Sequence, residues 1–259
     1  MARAENRQAN GRPAPAGEAA ALAFALLFPT LGIWLYFVAA SAPAWTRLLY
    51  LASKAVQFAF PLAWTRLADG GLRLSEPAVR ARHGRRRPTD LGVGRGVGLG
   101  LAMGLAAAGG LLLGHRFLLA GSPLLAGLPA GIAARLAAIG IDTAGGFVAV
   151  AVFYSAVHSL LEEYYWRWFV FGRLRRRLGF PAAAALSSLA FAAHHVVLLG
   201  LLLGSFGPLT WLFSLAVAAG GAAWAWLYEK SGSLAGPWLS HALVDAALMT
   251  VGYRLWAGG

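Results

Sequence analysis

The feature that most constrains this chain is a succession of long apolar runs, with few charges inside them, that continues almost to its end. A run of about 20 apolar residues crosses the hydrocarbon of a bilayer as an α-helix, because only a helix satisfies its own backbone hydrogen bonds there. The 259 residues are 59% hydrophobic and only 12% charged, about half the charge of a soluble domain. The runs do not alternate apolar and polar residues, which excludes a transmembrane β-barrel. The fold class expected is therefore all-α, a polytopic transmembrane bundle.

Seven spans are expected, at about 19–40, 44–67, 93–114, 146–171, 181–203, 209–228 and 234–256. A short segment at 130–141 is expected to lie along the membrane surface. The third span is rich in glycine, which permits close helix packing. Residues 1–17 are polar and read as a disordered cytoplasmic tail. The apolar run after them is long, so it reads as a first membrane helix and not a cleaved signal peptide. No internal repeat is found, and residues 18–259 read as a single transmembrane domain.

Charge sets an expected orientation. The net charge is +12, which in a soluble protein would suggest nucleic acid. In a membrane protein, basic residues instead hold loops on the cytoplasmic side, so no nucleic-acid partner is expected. With the N-terminus cytoplasmic, 16 of the 22 Lys and Arg fall inside, most of them in the loop at 70–90 and in the stretch 173–177. Arg47, Arg116, Arg135 and Arg254 fall outside, and Lys54 and Arg167 lie within spans. An N-in, C-out topology follows. There is no cysteine, hence no disulfide, thiolate ligand or cysteine nucleophile.

Ionisable residues inside a bilayer cost at least ~2.5 kcal/mol each on insertion scales, so each one is a functional candidate. The fourth span carries His158, Glu162, Glu163 and Arg167. The fifth carries His194 and His195, the seventh His241 and Asp245, and the second Lys54 and Gln57. Trp166 and Trp168 are read as markers of the cytoplasmic interface. Depths estimated from helical rise overlap in the cytoplasmic half of the membrane, so three helices can point polar groups into one cavity.

Spacing separates the roles. Glu163 and Arg167 stand four residues apart and can pair along one helix. Glu162 is turned ~100° away and is free to act on a water as a general base. His195 can share that water, while His241 and Asp245 can hold a substrate carbonyl or its oxyanion. His158 and His194 are expected to have packing or supporting roles, with His194 pointing away from the cavity. Lys54 and Gln57 are expected to hold each other or a backbone carbonyl. The metalloprotease string His-Glu-x-x-His is absent. Glu162, His195 and His241 with a fourth ligand could still bind zinc.

Three strings then carry a resemblance. LLEEYYWRWFVFGRL holds Glu-Glu-x-x-x-Arg, SSLAFAAHH holds Phe-x-x-x-His from Phe191 to His195, and SHALVD holds His-x-x-x-Asp from His241 to Asp245. In this order, on three spans, they resemble the CPBP family of membrane proteases, which includes CAAX prenyl protease type II (Rce1-like) and bacteriocin-processing (Abi) proteins. The resemblance covers about 146–249. It implies a glutamic-type intramembrane endopeptidase that needs no cofactor and cuts a peptide bond in a cavity open to the cytosol. It implies Glu162 as the water-activating base beside His195, His241 and Asp245 as the oxyanion pair, and Glu163 with Arg167 as support. Asp245 departs from relatives with Asn: ionised, it cannot donate a hydrogen bond, so it is either protonated or only orients His241.

The partners implied are the lipid bilayer and a membrane-associated or sorting-signal peptide. The Ala, Gly and Arg richness suggests a GC-rich bacterial genome and so a bacterial inner membrane. A transporter, or a non-catalytic immunity or binding protein, is the alternative use of such a Glu/His/Arg cluster.

Overall fold

A computed structural model describes residues 15–40, 42–69 and 91–258. The expected basic loop at 70–90, and the tail as far as residue 14, lie outside the described residues. Eight helices are described. They are α1 (Pro15–Trp34), α2 (Pro43–Asp69), α3 (Gly92–Gly114), α4 (Leu128–Ala138), α5 (a continuous helical run at 144–175), α6 (Phe180–Leu203), α7 (Pro208–Ser231) and α8 (Ala235–Ala257). The first helix begins at Pro15, so the last three residues of the expected tail, 15–17, are helical. A proline is well placed there, because the first helical position has no use for its amide hydrogen.

Five helical stretches are long and apolar enough to cross a membrane: Gly17–Ala39, Gly92–Leu119, Ala144–Arg175, Phe180–Leu203 and Pro208–Ser231. They belong to α1, α3, α5, α6 and α7. The other two long helices, α2 and α8, fall below that apolarity because they carry polar side chains that the bundle buries. These are Thr46, Ser53, Gln57 and Thr65 on α2, and Ser240 and His241 on α8. Outside, the polarity is inverted: Leu27, Leu51, Leu105, Val152, Leu189, Leu212 and Leu215 are exposed. Buried charge with an apolar exterior is what a hydrocarbon solvent selects, and the chain is an integral membrane protein.

Helix ends are set by local chemistry. Gly204 (φ +69°) and Gly232 (φ +66°) end α6 and α7 in the left-handed region that a side chain disfavours. Short connections then fold α6, α7 and α8 back on one another. The third helix packs along α8 through one face. A Cβ on Gly104 would lie 2.8 Å from Ser240 Cα, and one on Gly100 would strike the Gly236 backbone. This contact holds the start of α8, and so His241, against the bundle.

One end of the bundle collects arginine–glutamate pairs that join different helices. Arg175 meets Glu229 at 2.9 Å and Arg177 meets Glu18 at 2.6 Å. Buried Arg173 lies 3.6 Å from Glu18 and donates to Thr65 at 3.4 Å, and the Leu91 amide donates to the Lys230 carbonyl at 3.0 Å. These contacts bring together the starts of α1 and α3 and the ends of α2, α5 and α7. The arginines expected simply to mark a loop also clamp helix ends here.

Candidate active site

The centre of the site is α5. Its α-helical turn Ser159–Glu163 stands between two π-helical stretches, Phe153–His158 and Tyr164–Phe171. Such stretches widen a helix and redirect its side chains, often at functional sites. The turn between them carries both carboxylates into the bundle, where Glu162 is 4% exposed and Glu163 is 0% exposed.

The two neighbours have different surroundings. Glu162 is ringed by imidazoles: its Oε1 lies 3.3 Å from His158 Nε2 and 3.7 Å from His194 Nε2, and its Oε2 lies 3.8 Å from His241 Nε2. Glu163 is held on both oxygens. Its Oε2 lies 3.1 Å from Arg167 Nε, and its Oε1 accepts from His241 Nδ1 at 2.9 Å. The expected pairing of Glu163 with Arg167 is present, and it is half of what Glu163 does. Because Nδ1 of His241 donates to Glu163, its Nε2 is the atom left facing Glu162, and Asp245 Oδ1 lies 3.6 Å from it.

Aromatic rings fix these groups from the sides. The Arg167 guanidinium lies 4.8 Å from the Phe191 ring and 5.2 Å from the Trp224 ring. The same Trp224 stacks on His241 at 4.1 Å and donates Nε1–H to Ser240 Oγ at 3.0 Å. Trp166 stacks on His194 at 5.9 Å, nearly parallel.

Two expectations change here. His194 does not point away: it faces Glu162, and the ring of His195 lies beside it at 4.2 Å. His195 shares its Nδ1 with the Phe191 carbonyl at 2.9 Å; the carbonyl accepts, so Nε2 is its remaining acceptor. Adjacent helical residues diverge by ~100°, and the rotation of α6 decides which one meets the carboxylate. Trp166 is not an interface marker but a fully buried core residue, because its side of α5 faces α6. His158, expected to pack or support, supports Glu162 by direct contact at 3.3 Å.

Trp224 was not among the expected site residues, because a tryptophan in a membrane helix reads as belt or core. A group of tyrosines adjoins His158. The Tyr50 and Tyr154 hydroxyls meet at 2.8 Å, Tyr36 packs edge-on against Tyr50 at 5.3 Å, and Tyr154 packs on His158 at 4.7 Å. Lys54 donates to Gln57 Oε1 at 3.3 Å, as its spacing suggested. A groove of about 360 Å³ between α5 and α8, lined by Phe147, Val152, Ser155, Thr250 and Tyr253 among others, opens from the turn beyond Asp245.

The zinc set considered from the sequence is not gathered. His195 is turned to its own helix backbone, and among the described residues no group of three or more His, Asp or Glu side chains is arranged to hold a metal ion.

Residues 144–247 match the family model of the Rce1-like type II CAAX prenyl endopeptidases. The segment runs from the start of α5 to just past Asp245, and holds Glu162 and all three of its imidazoles. Over that segment the chain is similar to this family, which is one of peptidases. No curated protein and no solved structure matches the chain.

Proposed function

We propose that this Rce1-like domain hydrolyses a peptide bond of a membrane-associated protein or sorting-signal peptide, inside the bundle, with Glu162 activating the water. The observation that carries this reading is the contrast between the two carboxylates. Glu163 spends its charge on Arg167 and His241, whereas Glu162 is held by imidazoles alone. A buried carboxylate with no guanidinium paired to it can take a proton in one step and return it in the next.

In this reading Glu162 accepts a proton from water as the oxygen attacks the scissile carbonyl. His194 and His158 hold the carboxylate, and the free Nε2 of His195 accepts from the same water. His241, protonated and tied to Glu163 through Nδ1, donates Nε2–H to the oxyanion. Asp245 keeps that imidazole turned to the site. Glu162 then passes its proton to the departing amine, and the peptide bond has gained one water.

We further infer that all seven long helices cross the membrane, with the ion-paired end and the N-terminus in the cytosol. Support comes from the alternation of helix starts and ends at that end and from its arginines. The test needs no known substrate. Membrane fractions from cells expressing wild type or Glu162→Gln are compared by mapping new peptide termini. Termini made only by wild type are expected, and identical sets would overturn the reading.

A further inference from the structure

We propose that Lys54 and Gln57 on α2, outside the segment matched by the family model, form an anion subsite that takes a carboxylate of the substrate. The proposal rests on the peptidase reading, and deepens it by naming a group that the substrate carries.

The argument begins with donors. An ammonium has three N–H donors and no acceptor. Gln57 Oε1, at 3.3 Å, takes one of those of Lys54. Among the described residues Lys54 makes no ion pair, although Glu162, His158 and His194 all lie within its electrostatic range. Gln57 is 2% exposed, and its Nε2 is buried without an acceptor. Its orientation follows from Lys54: the opposite one would turn amide hydrogens toward the ammonium. Two neighbouring groups thus hold unused donors in one place, and one of them carries a positive charge.

Such a pair calls for a ligand that only accepts and that is negative. A carboxylate fits, because one oxygen can meet the ammonium and the other the amide. A cation enclosed among membrane helices also needs an anion. The place is near the chemistry. The Lys54 ammonium lies 5.7 Å from the Phe58 ring, that ring lies 5.8 Å from His158, and His158 touches Glu162 at 3.3 Å. A peptide with its scissile carbonyl at Glu162 would bring a carboxylate one or a few residues away to Lys54. A C-terminal carboxylate and an acidic side chain both supply this group.

The test measures binding on the full-length protein in detergent micelles. The probes are N-acetyl-leucyl-leucine, its C-terminal amide, and N-acetyl-leucyl-glutamate with an amidated C-terminus. Wild type is expected to bind at least one of the two carboxylate probes about tenfold or more tighter than the uncharged amide. Which of them is preferred identifies the source of the carboxylate. Lys54→Met, whose side chain keeps the length and apolar body, is expected to remove the preference, and Lys54→Arg to keep most of it. Melting curves check that each variant is folded, and Gln57→Leu, expected to weaken the preference, serves as a second variant. Equal binding of acid and amide by wild type, no binding of any probe, or an unchanged preference in folded Lys54→Met overturns the subsite. Binding and not turnover is read, so a chain that cleaves nothing can still show the preference, and the two readings fail separately.

Discussion

At the scale of the residue, Glu162 and Glu163 are adjacent in sequence and opposite in circumstance. Glu163 joins a guanidinium on its own helix to an imidazole 78 positions away. Removing its charge leaves Arg167, 1% exposed, as an unpaired cation in the core, which costs about 3–5 kcal/mol. Glu163→Gln is therefore expected to melt well below wild type in detergent. The double variant Glu163→Gln/Arg167→Met should recover most of that stability without recovering proteolysis, because His241 still lacks its anionic acceptor. Glu162→Gln, which leaves that network in place, is expected to lose about 10²-fold or more in rate while remaining folded. A melting curve beside a rate for each variant checks all three. The Glu163–Arg167 pair was legible in the sequence, since four-residue spacing puts both side chains on one helix face. The His194–Glu162 contact was not, because a His-His pair offers two faces and the sequence does not rotate α6.

At the scale of the element, α3 and α8 approach so closely that only small residues fit between them. A methyl group on Gly100 would meet the Gly236 backbone, which cannot move aside as a side-chain end can, whereas one on Gly98 meets nothing within 4 Å. Gly100→Ala is expected to destabilise by about 1–3 kcal/mol and to slow the enzyme by shifting the α8 turn that carries His241. Gly98→Ala should leave both unchanged. Thermal unfolding and rate measured together check this pair. Glycine richness in the third span pointed to a close neighbour, but only packing identified that neighbour as α8. The π-helical stretches of α5 were also illegible, since a regular helical count was assumed through 146–171 and nothing in the local pattern contradicts it.

At the scale of the whole molecule, the bundle is polar within and apolar without, and the arginine–glutamate pairs that join different helices gather at one end. If that end faces the cytosol, the loop between α5 and α6 lies inside and the loop between α6 and α7 lies outside. The absence of cysteine makes the orientation directly measurable, because any cysteine introduced is the sole thiol. In intact cells Ser205→Cys is expected to react with an impermeant maleimide, and Gly179→Cys only after the cells are opened. The reverse pattern would invert the proposed topology and place the site's entrance on the other side.

The sequence by itself determined that this is a helical membrane protein, where its helices lie, which of them carry charge, and that Glu163 can pair with Arg167. These follow from transfer energies and from spacing along one helix, which are local quantities. Only the tertiary structure decided that His194 and His158 face Glu162, that Glu163 also holds His241, that Trp224 clamps both His241 and Arg167, and that Phe58, beside Lys54 on α2, packs against His158. Those contacts depend on how helices far apart in the chain are rotated and raised against one another. That is set by packing, by the glycines between α3 and α8 and the aromatic rings around α5, and not by any single helix.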